Sequence, residues 1–285
     1  MRVPRSALLA GIALIAAACG TSDKNGAAEK AQAVATPPVV TVHAKDFAFD
    51  APAEITAGVT TFNLVNDGHG LHHMQLVRLD SAKTVDDLIA ALKKPGPPPA
   101  WAMFASGPNA VFAGGTSNAT FDITPGNYAI ICLVDIPDRM PHYGKGMFKA
   151  LTVKPAAAGA VAAALPAADI TMTLQDYSFV LSTPITAGHH VFAVKTMPGQ
   201  PHEVEIFKLA KGKTMKDLGA WMAKMEGPSP LDAVLAGVAA TSTGEEVRFT
   251  ADFTPGDYLM MCFLPDAKDG KAHFTKGMVQ KFTVS

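Results

Sequence analysis

The chain contains the stretch Cys132-Leu-Val-Asp-Ile-Pro-Asp-Arg-Met-Pro-His142-Tyr-Gly-Lys-Gly-Met147. A second copy reads Cys262-Phe-Leu-Pro-Asp-Ala-Lys-Asp-Gly-Lys-Ala-His273-Phe-Thr-Lys-Gly-Met278. Each copy presents a thiol, then an imidazole, and then a thioether with four residues between the last two. Each copy also has a histidine sixty residues before its cysteine, His72 in the first and His202 in the second. The same set of side chains is therefore repeated in the same order.

These side chains are typical of a copper site, because copper binds soft sulfur together with imidazole nitrogen. A blue-copper centre has two imidazoles and one thiolate in a trigonal plane, with a weak thioether on the axis. Each residue also has a simpler interpretation. A cysteine at the end of an apolar strand is usually a buried core thiol, and a methionine after glycine usually packs in the core. Their joint occurrence in both copies favours copper or a related soft metal.

The rest of the two copies is related by a constant shift of 130 residues. Asp46-Phe-Ala-Phe matches Asp176-Tyr-Ser-Phe, and Pro125-Gly-Asn-Tyr matches Pro255-Gly-Asp-Tyr. The second copy gains one residue between its cysteine and its loop histidine, so the shift becomes 131 beyond that point. A duplication of this kind predicts two domains, 39–154 and 169–285, joined by an Ala/Pro-rich linker at 155–168.

Short alternating segments divided by Gly, Pro and Asn predict β-strands, for example at Val39–Ala44, Thr60–Val65 and Tyr128–Ile131. Strands of this length separated by turns are typical of an antiparallel β-sandwich. The segment Thr84-Val-Asp-Asp-Leu-Ile-Ala-Ala-Leu-Lys-Lys instead predicts a short helix, capped by Thr84 and ending before Pro95. The predicted fold class is all-β, with a short helical insertion in each domain.

The order of histidine, a long interval, and then Cys, His and Met on the last loop resembles the cupredoxin family. The resemblance covers both repeats and implies two tandem cupredoxin-like Greek-key β-sandwiches, with copper at one end of each. The nine and ten residues between cysteine and loop histidine are closer to the long loop of the copper nitrite reductases than to the loops of small electron carriers. The metal ligands that the resemblance implies are His72, Cys132, His142 and Met147 in repeat one, and His202, Cys262, His273 and Met278 in repeat two.

The remaining histidines offer alternatives to this ligand set. His73 is the neighbour of His72, and adjacent residues of a strand point to opposite faces, so we expect one to point inward and the other outward. The constant shift selects His72, because Glu203 is the residue that matches His73. His69 is a further possible loop ligand. Surface positions on strands or turns are expected for His43, His189 and His190.

The residues beside the cysteines bear on whether the protein is an enzyme. In cupredoxin-like enzymes that reduce nitrite or oxygen, a histidine lies next to the ligand cysteine in the sequence. That histidine connects the blue copper centre to a second copper centre. Here the neighbours are Ile131, Leu133, Met261 and Phe263. We therefore predict a protein that transfers electrons to an unidentified redox partner and that is not an enzyme. Copper buffering or delivery to a copper-handling protein, or a metal-free module that binds another protein, are the alternatives.

The N-terminus predicts export. Met-Arg-Val-Pro-Arg precedes an apolar run from Ala7 to Ala18, which is typical of a secretory signal. The three alanines before Cys19 resemble the end of a bacterial lipoprotein signal, in which that cysteine is acylated; cleavage and release is the alternative. We therefore predict that residues 20–38 form a flexible tether and that the mature protein is a periplasmic or cell-surface lipoprotein. With 24 basic and 25 acidic residues, the charge does not favour nucleic acid as a partner.

Overall fold

The computed structural model describes residues 35–94, 96–135, 140–224 and 226–285. The signal segment, the predicted acylation site Cys19 and most of the tether lie outside these residues. Within the part of the chain that is described, no helix is long and apolar enough to cross a membrane.

The two repeats consist mainly of strands, which confirms the predicted all-β class. In repeat one the strands are β1 (Val39–Lys45), β2 (Ala48–Asp50), β3 (Glu54–Thr56), β4 (Gly58–Asn66), β5 (Gln75–Leu79), β6 (Ala102–Phe104), β7 (Thr116–Ile123), β8 (Gly126–Ile131) and β9 (Phe148–Lys154). In repeat two they are β10 (Ile170–Gln175), β11 (Ser178–Leu181), β12 (Gly188–Thr196), β13 (His202–Leu209), β14 (Leu231–Thr241), β15 (Glu246–Phe253), β16 (Gly256–Met261) and β17 (Val279–Val284).

Each repeat is a sandwich of two sheets. One eight-stranded sheet, in the order β11-β10-β12-β15-β7-β4-β1-β2, runs through both repeats. Repeat one adds the sheet β3-β9-β8-β5-β6, and repeat two adds the sheet β14-β13-β16-β17. Phe62 and Leu64, which alternate with less buried residues in β4, pack in one buried cluster with Ile130 of β8 and Leu151 of β9. Alternation with period two therefore places these apolar side chains between the sheets.

The sheets are mixed, whereas the sequence predicted an antiparallel sandwich. β1 pairs in parallel with β4, and β10 pairs in parallel with β12. In repeat one the chain reaches β3, which belongs to the other sheet, between β1 and β4. Such a crossover lets two strands of one sheet run in the same direction, which a tight hairpin does not.

The repeats are joined at two places, and at each place equivalent positions of the two repeats meet. In the large sheet, β7 pairs with β15, and the Asn118 side chain donates to Thr250 Oγ1 at 2.8 Å. At the second place, the segment after β6 runs antiparallel to β14, with Ser106 N–H donating to the Ala240 carbonyl at 3.0 Å. Pro108 pairs there with Val238, the residue 130 positions later. Equivalent positions that meet in this way are the signature of an isologous contact.

The predicted helical insertion is present in both repeats, as α1 (Val85–Leu92) and α2 (Met215–Met222). Thr84 accepts from the N–H of Asp87, whose carboxylate accepts from the Thr84 N–H in return, and Thr214 and Asp217 repeat this capping box. Leu88 of α1 packs on the outer face of the five-stranded sheet, so the insertion covers that face.

Candidate metal centres

The backbone of the ligand loop brings the cysteine and the loop histidine together. Cys132 follows β8, and its N–H donates to the carbonyl of Met147, at the other end of the loop, at 3.1 Å. The His142 N–H donates to the Val134 carbonyl at 3.0 Å, and a short 3-10 helix begins at His142. A β-bridge between Asp135 and Pro141 closes the part of the loop that lies between them. The long loop thus returns to the cysteine and does not fold away.

Repeat two has the same loop geometry despite its extra residue. The Cys262 N–H donates to the Met278 carbonyl at 3.2 Å, and the His273 N–H donates to the Leu264 carbonyl at 2.9 Å. The corresponding β-bridge joins Pro265 to Ala272. The residue gained by the second copy therefore lies in the part of the loop between these two residues, where it leaves the donors in place.

Centre one is formed by His72, Cys132 and His142, which are all buried. The Nδ1 atoms of the two histidines are 3.0 Å apart, and His142 Nδ1 lies 3.4 Å from Cys132 Sγ. One nitrogen from each ring and the sulfur lie within 4.8 Å of one another. The fold therefore brings His72 to the two donors of the ligand loop.

Centre two, formed by His202, Cys262 and His273, has the same geometry. Its two Nδ1 atoms are 3.1 Å apart, and His273 Nδ1 lies 3.3 Å from Cys262 Sγ. Both cysteines are free thiols, as expected if metal binding and not a disulfide explains their equivalent positions. The structure thus gathers six of the eight predicted ligands, and their role as ligands stays a prediction.

The two predicted axial residues, Met147 and Met278, are fully buried in the main apolar cluster together with Cys132 and Cys262. Each methionine is tied to its cysteine through the backbone hydrogen bond described above. This placement fits a thioether beside each group of three donors, and the axial role stays a prediction.

An aspartate lies behind each upstream histidine. Asp46 Oδ1 is 3.1 Å from His72 Nε2, and Asp176 Oδ1 is 3.0 Å from His202 Nε2. Since a carboxylate accepts, Nε2 carries the proton and Nδ1 keeps its lone pair for the metal. Hydrogen bonds, with that from the His69 side chain as the largest cause, hold the pKa of Asp46 well below its usual range. Gly68 leaves room for this pair, because a Cβ there would be 2.6 Å from Asp46 Oδ1.

Sequence reasoning missed the function of these aspartates. The sequence contains one indication of the two aspartates, the match of Asp46-Phe-Ala-Phe with Asp176-Tyr-Ser-Phe. That match was interpreted only as evidence of the repeat. Each aspartate is 26 residues from the histidine it contacts, so spacing alone does not reveal the pair.

An aromatic ring covers each loop histidine. Phe47 meets His142 edge-on with ring centroids 5.4 Å apart, and Tyr177 meets His273 at 5.6 Å. Phe47 and Tyr177 both have positive φ, at 62° and 61°, a conformation that costs about 1 kcal/mol for a residue with a side chain. The two rings differ in polarity, because Tyr177 has a hydroxyl, which donates to the carboxylate of Asp266. Both repeats keep a strained turn that holds a ring over the site.

A buried polar side chain also supports the residue after each cysteine. His73 Nε2 accepts from the Leu133 N–H at 3.0 Å, and Glu203 Oε1 accepts from the Phe263 N–H at 2.8 Å. The sequence placed His73 on an outward face, but it is only 7% exposed, because this hydrogen bond holds it against the ligand loop. Burial, followed by the charges of the two neighbouring histidines, lowers the pKa of His73 to about 3, whereas burial raises the pKa of Glu203 to about 7.

The donor chemistry fits copper. Burial lowers the pKa of His142 to about 4, so its imidazole is neutral at pH 7, as a metal ligand must be. Burial raises the pKa of the Cys132 thiol to about 12, so a metal must displace its proton. One thiolate, two imidazoles and a buried thioether are the donors of a blue-copper centre. These sets of side chains indicate copper as the cofactor.

The other histidines lie outside these groups of donors. His69, the alternative loop ligand, has a side chain that is 97% exposed and pairs with Asp46. His43 pairs with Asp67 at 2.7 Å. His189 and His190 pair with Asp252 and Asp169.

Neither a protein-family model nor a curated protein matches the chain. Among solved structures, auracyanin A, a blue copper protein of Chloroflexus aurantiacus, is 24% identical over 41% of this chain and 99% of its own, with a TM-score of 0.31. A blue copper oxidase from Nitrosomonas europaea is 14% identical over 88% of this chain and 86% of its own, with a TM-score of 0.28. A copper nitrite reductase from Nitrosomonas europaea is 16% identical over 88% of this chain and 94% of its own, with a TM-score of 0.26.

These comparisons contradict the prediction that the protein is not an enzyme, because the structures that align along most of the chain are enzymes. The prediction was wrong because it relied on the residues beside Cys132 and Cys262. A histidine beside the cysteine concerns only one route of electron transfer between two copper centres. Its absence does not decide what chemistry occurs at the centres themselves. The described strands form a sandwich of two sheets in each repeat.

Proposed function

We propose that the protein binds one copper ion in each repeat and transfers electrons through these two centres. Bound copper supplies a one-electron couple between Cu(I) and Cu(II). The observation that supports the proposal is the convergence of a cysteine sulfur and two histidine Nδ1 atoms, in both repeats, at nearly the same distances.

The surrounding chain holds the donors in one arrangement. The backbone hydrogen bonds of the ligand loop fix the cysteine relative to the loop histidine, and Asp46 and Asp176 fix the upstream histidines. The rings of Phe47 and Tyr177 limit access of water from the side of the loop histidine. A site whose donors are already held by their neighbours needs little rearrangement when its charge changes, which suits electron transfer.

We further propose that the protein is exported and held at a membrane by acylation of Cys19, where it exchanges electrons with an unidentified redox partner. The basic start, the short apolar run and the alanines before Cys19 support this location. Mass spectrometry of the mature N-terminus tests it, with a lipid-modified cysteine as the expected result. An unmodified N-terminus, or membrane association that persists in Cys19→Ser, would contradict it.

Optical spectroscopy of copper-loaded protein tests the proposed centres. We expect an intense thiolate-to-copper band towards the red end of the visible spectrum, part of which is lost in each of Cys132→Ser and Cys262→Ser. The double variant should be colourless. Voltammetry should show a reversible couple, and bound copper without such a couple would support buffering or delivery instead. A colourless protein after loading with Cu(II) would overturn the proposal.

A further inference from the structure

The aspartates behind the two upstream histidines have different surroundings. Asp46 accepts from His72 Nε2 at 3.1 Å, from the His69 ring at 2.6 Å, and from the backbone N–H groups of His69 and Gly70 at 2.9 and 3.4 Å. Its carboxylate is therefore shared among four N–H groups.

The carboxylate of Asp176 has simpler surroundings. Within the described residues its side chain has one hydrogen bond, to His202 Nε2 at 3.0 Å. The position that matches His69 is Gly199, which has no side chain to offer. The two centres thus have the same donors and the same aspartate, but they differ in how many groups compete for it.

A carboxylate that accepts from a ligand imidazole makes the metal-binding nitrogen more basic. A more basic nitrogen stabilises Cu(II) relative to Cu(I), which lowers the reduction potential. The effect weakens when other donors withdraw charge from the same carboxylate. Asp176 should therefore act more strongly on His202 than Asp46 acts on His72.

We propose that Asp46 and Asp176 are positioning residues that set different reduction potentials, with centre two lower than centre one. The proposal rests on the proposed copper function. Its consequence is that a molecule carrying one electron holds it at centre one. His69, whose ring and backbone N–H both donate to Asp46, contributes most to the difference, and its position in repeat two is Gly199.

Full-length single-centre proteins allow each potential to be measured. Cys262→Ser leaves centre one and Cys132→Ser leaves centre two, and a redox titration follows the thiolate-to-copper band of each. We expect the lower potential in the protein that retains centre two. Asp176→Asn there should weaken Cu(II) binding about 10- to 100-fold. At 59 mV per tenfold change for one electron, the potential should rise by about 60 to 120 mV.

The decisive variant removes the competing side chain alone. His69→Gly should lower the potential of centre one, because it removes the His69 ring, one of the four groups that donate to Asp46. His43→Gly is the matched control, since His43 also pairs with an exposed aspartate, Asp67 at 2.7 Å, and should leave the potential unchanged. Because positions 68 and 198, and 73 and 203, also differ between the repeats, the substitution at His69 tests the aspartate more directly than a comparison of the two centres does.

The metal-free protein gives a second readout. Nitrogen-15 NMR should show His72 and His202 with the proton on Nε2, and that proton should lie further downfield in His202, where the hydrogen bond is not shared. Equal potentials, a higher potential at centre two, or no response to His69→Gly would overturn the inference while the copper band remained. Absence of the band in both single-centre proteins would instead overturn the proposed function.

Discussion

Replacement of Glu203 by glutamine should stabilise the metal-free protein above neutral pH. Glu203 and Glu205 are neighbours on β13, and both are buried, at 6% and 3% exposure. Burial raises the pKa of Glu203 to about 7, and burial together with the charge of Glu203 raises the pKa of Glu205 well above its usual value. Glutamine keeps an oxygen that can accept from the Phe263 N–H, so the variant removes the charge and retains the contact.

The sign and size of the effect follow from proton linkage. Below about pH 4.5 Glu203 is protonated in both the folded and the unfolded chain, so the substitution changes little. Above that pH the unfolded chain releases the proton while the folded chain retains it, and stability falls until the folded pKa is passed. A shift from 4.5 to about 7, at about 1.4 kcal/mol for each pKa unit, corresponds to a loss of about 3 kcal/mol. Glu203→Gln should recover this amount at pH 8.

Chemical denaturation of the metal-free protein between about pH 4 and pH 8 measures the effect. The difference between variant and wild type should be near zero at the acid end and should grow with pH. Glu245→Gln is the control, because Glu245 is exposed and its removal should give no such slope. A Glu203→Gln difference that does not depend on pH would refute the claim that Glu203 is buried and protonated in the folded chain.

Three further predictions concern single contacts. Because burial raises the pKa of the Cys132 thiol to about 12, copper binding at centre one should release about one proton, and affinity should rise about tenfold per pH unit near neutrality; calorimetry in buffers of different ionisation enthalpy measures this. Asn109→Ala removes the amide that donates to the Val204 carbonyl at 3.0 Å between the repeats, and should cost about 1 to 3 kcal/mol of unfolding free energy in denaturant titrations. Gly68→Ala places a methyl group against Asp46, and should weaken copper binding at centre one about 10- to 100-fold in competition titrations while centre two is unchanged.

The sequence predicted much of the fold and the group of donors, because these depend on local patterns and on duplication. Alternation in β4 placed Phe62 and Leu64 in the core, and the constant shift between the repeats selected His72 over its neighbour. Thr84, predicted as the cap of the helix, immediately precedes α1. Each of these signals lies within a few residues or is repeated at a fixed shift.

Features that depend on long-range pairing were not predicted. The shared sheet is joined by Asn118 and Thr250, polar residues that look like surface positions in the sequence. Asp46 lies in the turn between β1 and β2, beside Phe47 with its positive φ, and it contacts a histidine 26 residues further along the chain. Neither contact leaves a periodic pattern in the sequence.

Metal analysis of the full-length protein, purified from its own compartment, tests the central claim most directly. We predict two copper ions per chain in the wild type, one in each of Cys132→Ser and Cys262→Ser, and none in the double variant. Wild-type protein without copper, or copper content that both substitutions leave unchanged, would contradict the assignment of the two centres.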